Sequence, residues 1–236
     1  MSVTARLRWL AQDYAYVAAW QARSFISAAH PADFRTGDGR DVIVLPGIYE
    51  NWRFMQPLIR AVHDAGHPVH VLPALGYNRR PVEQAAQLVS VYLAEHHLRD
   101  TVIVAHSKGG LIGKYAMLRT PAQGRVARLV AICSPFSGSR YARYALAPSL
   151  RAFSPNHATT RLLTREREVN RHITSVYGTF DPMIPAGSEL FGARNIRLNV
   201  AGHFRILDDP ATIETVLLEV AGATRQSQPG ADPAGR

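Results

Sequence analysis

Short apolar runs alternate with stripes of apolar residues at helical spacing along most of this 236-residue chain. Six runs rich in β-branched residues, at 41–45, 69–72, 101–105, 126–133, 171–177 and 195–200, predict strands. Between them, 52–65 places Met55, Leu58, Ile59 and Val62 on one helical face, and 81–96 does the same with Val82, Ala85, Ala86, Val89, Tyr92 and Leu93. Further helices are predicted at 109–119 and 210–220. Strands that are apolar throughout are buried on both faces. Separated by helices, they stack side by side in parallel. The expected fold is therefore α/β, a mostly parallel sheet of about six strands with helices on both faces.

Two segments fall outside the alternation. Residues 1–30 predict a helix whose apolar face is Leu7, Leu10, Tyr14, Val17, Phe25 and Ile26, followed by a loop to residue 40. Residues 137–170 carry only weak helical patterning and leave the sheet where strand four ends. Ligands bind at the carboxyl ends of the strands in open α/β sheets, so this stretch is predicted to be a short cap insertion over the site. The expected organisation is thus an N-terminal helix and loop (1–40), an α/β domain (41–220) with cap insertion 137–170, and a disordered tail (221–236) rich in Gly, Pro, Ala and Gln.

Composition narrows the function classes. Apolar residues make up 47% and charged ones 19%, an ordinary globular balance. A single cysteine, Cys133, excludes an internal disulfide framework, and no Cys/His spacing suggests zinc. No stretch of eighteen apolar residues predicts a membrane-spanning helix. Arg6, Arg8, Gln12 and Asp13 occupy the place of a signal-peptide core, so the expected compartment is the cytoplasm. The net charge is +9, with Lys108 and Lys114 the only lysines. Seven arginines between Ser137 and Arg171 face only Glu166 and Glu168. That excess suggests weak contact with an anionic membrane surface.

The sharpest chemical signal is Ala105-His106-Ser107-Lys108-Gly109-Gly110, at the end of a predicted strand and the start of a helix. A tight turn there strains the serine backbone and exposes its hydroxyl at a helix N-terminus, where the dipole favours developing negative charge. The residues two before and two after must be small, as Ala105 and Gly109 are, and Gly110 leaves room for the helix to approach the sheet. Read so, Ser107 is a nucleophile. Read plainly, it is a helix cap.

In that context the chain resembles the α/β-hydrolase superfamily, and within it the small lipase/esterase branch, over about residues 41–220. The resemblance implies the order nucleophile, acid, histidine, each after its own strand. Gly178-Thr179-Phe180-Asp181-Pro182-Met183-Ile184-Pro185 resembles the acid loop, with Asp181 as the carboxylate, although an aspartate before proline also simply begins turns. Ala201-Gly202-His203-Phe204 resembles the histidine loop. His106 is expected to point away from Ser107, into packing or the strand edge, while His96 and His97 end a helix. Leu45-Pro46-Gly47-Ile48-Tyr49 resembles the family's His-Gly loop with proline in place of histidine. The implied oxyanion donors are the backbone N–H groups of Lys108 and Ile48, with Tyr49 as the fallback. Ser134-Pro135-Phe136-Ser137-Gly138-Ser139 is similar to a stretch found in several lipase-like hydrolases.

The expected function is a serine hydrolase cleaving carboxylic esters of small molecules or lipids, with no metal or organic cofactor and no nucleic-acid partner. The same triad serves acyltransferases and thioesterases. A catalytically silent hydrolase fold used as a binding module is the reading from another class.

Overall fold

The computed structural model describes residues 3–119, 124–139, 142, 148–151 and 153–222. Each predicted strand and helix is present. The strands are β1 (Val42–Leu45), β2 (Val69–Val71), β3 (Thr101–His106), β4 (Val126–Ile132), β5 (Ile173–Phe180) and β6 (Arg194–Ala201). They form one sheet, ordered β2-β1-β3-β4-β5-β6, and every neighbouring pair is parallel. The helices are α1 (Val3–Ile26), α2 (Gln56–Asp64), α3 (Val82–Glu95), α4 (Lys108–Arg119), α5 (Pro148–Arg151), α6 (Ala158–Arg165) and α7 (Pro210–Gly222).

Alternation along the strands sends neighbouring side chains to opposite faces. Val42, Val44, Val102 and Val104 pack with Leu58 and Val62 of α2 and Val216 and Val220 of α7. Ile43, Leu45, Ile103 and Ala105 pack with Ala85 and Val89 of α3 and Leu111 and Ile112 of α4. The central strands β1 and β3 are buried along their whole length. β6, at the edge, is not: Arg194, Asn195, Arg197 and Asn199 are exposed. An edge strand with one partner keeps polar side chains at alternate positions, which also discourages pairing with another chain.

The predicted face of α1 holds at Leu10 and Val17 and fails at three other positions. Leu7, Tyr14 and Ile26 are 61%, 52% and 81% exposed, and nothing is described of the Phe25 side chain. The inward stripe instead runs through Leu10, Asp13, Val17, Trp20 and Ser24, still at spacings of three and four. A carboxylate sits in the middle of it, and the reason lies in the site.

Among its described residues the insertion holds two short α-helices, α5 and α6. It is tied to the body, because the Lys114 ammonium of α4 donates to Leu163 O at 2.6 Å and the Thr159 hydroxyl donates to Glu83 of α3. Ala221 and Gly222, expected to begin a disordered tail, instead end α7, whose helical hydrogen bonding carries on past Val220; Arg140, Arg143 and the rest of that tail lie outside the described residues. Among the described residues no helix is long and apolar enough to cross a membrane.

Candidate active site

β3 ends in His106, and the chain turns through Ser107 with φ at 51° before α4 begins. That left-handed value is costly for a residue with a side chain and persists only where the surroundings impose it. Here Ser107 N–H donates to Ile132 O at 2.8 Å and Ser107 O accepts from Gly110 N–H at 3.1 Å. Gly110 leaves room for the helix against the sheet as expected, whereas Gly109 is required by a neighbour other than the one its spacing suggests. A Cβ on Gly109 would strike Leu45 O at the end of β1, not Ala105, and one on Gly110 would strike the Ser134 side chain. The elbow is thus pressed against both neighbouring strands.

The structure brings Ser107, His203 and Asp181 together. His203 Nε2 lies 3.1 Å from Ser107 Oγ, and His203 Nδ1 lies 2.8 Å from Asp181 Oδ2. An ionised carboxylate only accepts, so the hydrogen belongs on Nδ1 and the Nε2 lone pair faces the serine hydroxyl. A register shift between Gly178 and Phe180 sits just before Asp181, the kind of bulge that re-aims a side chain at a strand end. Asp181 Oδ1 meanwhile accepts from Met183 N–H (2.8 Å) and Ile184 N–H (3.0 Å), so the aspartate also makes the turn before Pro182.

Burial works against the Asp181 charge. The partnership with His203 and the two amides more than offsets it and holds the carboxyl below its usual range. Burial likewise opposes the His203 imidazolium, but Asp181, helped by Glu50 and Asp13, shifts its pKa upward. Cys133, the residue after β4, is fully buried with φ at 48°. Its sulfur lies within 4.8 Å of ligand-type atoms of Asp181 and His203. Burial, with Asp181 beside it, pushes the thiol pKa well up.

The two implied oxyanion donors are available. Among the described residues neither the Lys108 N–H nor the Ile48 N–H donates to a protein acceptor. The fallback is not available, because Tyr49 N–H is engaged with Tyr77 O at 2.8 Å. The Lys108 ammonium turns away and donates to Asn78 O and Arg80 O, and burial lowers its pKa to about 8.

Two further carboxylates, Glu50 and Asp13, are buried beside these residues. Glu50 accepts from Gly47 N–H at 2.7 Å and from His106 Nδ1 at 2.9 Å, while His106 Nε2 lies 2.9 Å from His203 O. His106 does point away from Ser107, but into this polar chain rather than into packing. Its two ring nitrogens face oxygens on both sides, the Glu50 carboxyl on one and the His203 carbonyl on the other. Asp13 of α1 is 1% exposed. It accepts from His203 N–H (2.8 Å), Phe204 N–H (2.9 Å) and Arg205 N–H (2.9 Å). A polar residue at the centre of an otherwise inward-facing helical stripe is the signal that could have found it.

Ser107 and His203 open into a cavity of about 430 Å³. Its walls are largely apolar: Val17 of α1, Phe54, Leu150 and Phe153 of the insertion, Met183 and Ile184. Residues of the N-terminal helix and of the insertion both line it.

No family model matches the chain, and no curated protein matches it in sequence. Solved structures do match in shape. BpoC of Mycobacterium tuberculosis H37Rv, described as a non-heme bromoperoxidase, aligns with a TM-score of 0.64 at 14% identity, over 79% of this chain and 93% of that one. The α/β hydrolase MGS-MChE2, from a lagoon sediment metagenome, aligns at 0.58 and 16% identity over 80% and 94%. Mature lipase BlEst2 of Bacillus licheniformis aligns at 0.58 and 14% identity over 82% and 95%. At these identities the likeness is one of fold.

Proposed function

Starting from the α/β-hydrolase fold, which this chain has, we propose that the protein is a serine hydrolase that cleaves carboxylic esters through an acyl-enzyme. The observation that carries this reading is the unbroken series Ser107 Oγ, His203 Nε2, His203 Nδ1, Asp181 Oδ2, with separations of 3.1 and 2.8 Å, opening into an apolar cavity. Ser107 attacks the ester carbonyl while His203 takes its proton, and Asp181 keeps the imidazole in the tautomer that can do so. The tetrahedral oxyanion is held by the N–H groups of Lys108 and Ile48, each worth about 3 kcal/mol to the transition state. His203 then returns the proton to the leaving alcohol. Water attacks the acyl-enzyme by the same steps in reverse. The apolar walls favour an uncharged acyl chain.

A p-nitrophenyl ester series of increasing acyl length tests the reading. Hydrolysis that disappears in Ser107→Ala is the expected result, and activity unchanged in that variant would overturn it.

The pH profile follows from the upward shift of His203. The imidazole must be neutral to accept the Ser107 proton, so kcat/KM is low below its pKa and rises through it. A raised pKa moves that limb up, above the ordinary value of 6.5. Initial rates measured from about pH 5 to about pH 9 are expected to show it. A flat profile would count against a histidine base.

We further propose weak contact with anionic lipid surfaces through the arginines of the insertion, of which Arg151 is exposed. Arg151→Gln, together with Arg140→Gln and Arg143→Gln, is expected to reduce the effect of anionic vesicles on activity toward medium-chain esters. An equal vesicle effect in wild type and variant would dismiss the contact.

A further inference from the structure

The histidine loop is held by a helix that begins the chain. Asp13 lies 190 residues from His203 in sequence, and its Oδ2 accepts the His203 N–H. Its Oδ1 accepts from both Phe204 and Arg205. Charge-assisted bonds of this kind are shorter and stronger than neutral ones, and three on one buried carboxylate fix the backbone that carries the imidazole. Gly202 makes the approach possible. Its φ is 114°, and a Cβ there would lie 2.6 Å from Asp13 Oδ1.

Resting on the reading of Ser107 as nucleophile and His203 as base, we propose that Asp13 is a positioning residue for catalysis: its carboxylate sets the backbone of the histidine loop, which makes α1 part of the catalytic apparatus rather than a covering layer. The geometry also has an electrostatic side. The groups facing His203 are Ser107 and His106 at the end of β3, Cys133 after β4, Asp181 after β5, Glu50 from the loop after β1, and Asp13 from α1. Of these Asp181, Glu50 and Asp13 favour the imidazolium. Removing the Asp13 charge therefore makes the imidazole easier to deprotonate.

Asp13→Asn separates this role from simple anchoring of α1. The side chain keeps its shape and one acceptor oxygen, but its amide nitrogen must face a backbone N–H, donor against donor. kcat toward a p-nitrophenyl ester is expected to fall by about tenfold to a hundredfold, the scale set by small misplacements of a reacting group. KM should change much less, and the acid limb of kcat/KM should move to lower pH. The His203 titration followed by NMR in histidine-labelled full-length protein should shift the same way. A folded Asp13→Asn protein with wild-type kcat and an unmoved titration would overturn the proposal.

A second measurement needs no variant. In the wild type, the amides of residues 203–205 are expected to exchange with solvent far more slowly than exposed loop amides, and fast exchange at all three would equally overturn the proposal. If the wild type hydrolyses no ester, the functional reading fails alone, because the NMR titration of His203 in Asp13→Asn still decides whether Asp13 acts on it.

Discussion

Ser107→Ala is expected to lower kcat toward p-nitrophenyl esters at least about a thousandfold, and His203→Ala by a similar factor. In the proposed mechanism the two act as a unit, the proton passing across the 3.1 Å contact between them. Losing either leaves only what the oxyanion donors and binding supply. Asp181→Asn should lose less than either, because the Ser107–His203 contact survives even though the imidazole tautomer is no longer enforced. The measurement is single-turnover and steady-state kinetics on folded, melt-matched proteins, together with labelling by a fluorophosphonate probe. Labelling should vanish in Ser107→Ala. A His106→Ala protein that loses all activity while keeping its fold, beside an active His203→Ala protein, would reassign the base.

Glu50→Ala is expected to cost about 2 to 6 kcal/mol of stability, about 1 to 3 kcal/mol for each of the two buried groups left without a partner. Glu50 and His106 are both buried at the sheet end, and Glu50 also accepts the Gly47 N–H. Without the carboxylate, His106 Nδ1 and the Gly47 amide are left facing an apolar void. In a chain of this length that loss should lower the melting temperature by roughly 10 °C. Gly47 directly precedes Ile48 in the loop after β1, so the same change should lower kcat more than it raises KM. Thermal denaturation beside kinetics checks both parts. A Glu50→Ala protein as stable and as active as wild type would show that the pair contributes neither.

The layered fold was legible because its signal is local. Val42–Leu45, Thr101–His106 and Val126–Ile132 are apolar runs whatever surrounds them, and the helices between them repeat at 3.6 residues. The elbow was legible because a short, small-flanked serine between a strand and a helix leaves few other readings. What escaped was non-local. Asp13 reads as a solvent residue until the backbone amides of 203–205 arrive from the far end of the chain to satisfy it. Leu7 and Tyr14 are apolar and so predict an inward face, yet among the described residues nothing covers that side of α1. The Glu50–His106 pair joins residues 56 apart in sequence. Nothing in the local pattern distinguishes a histidine bonded at both nitrogens from one merely packed. Even the glycine rule of the elbow was right in outcome and wrong in cause, because the obstacle to a side chain at 109 is the end of β1.

The burial of Cys133 gives the site a built-in clock. It is the chain's one cysteine, fully enclosed at the end of β4 with its thiol pushed toward the unreactive neutral form. A thiol reagent can reach it only when the sheet end beside Asp181 opens. When reclosing outpaces the reaction, the labelling rate in native buffer measures the free energy of that opening. No engineered probe is needed. Substrate-like inhibitors that bind across Ser107 and His203 should slow the clock, and reagents of increasing size would show how far the opening extends.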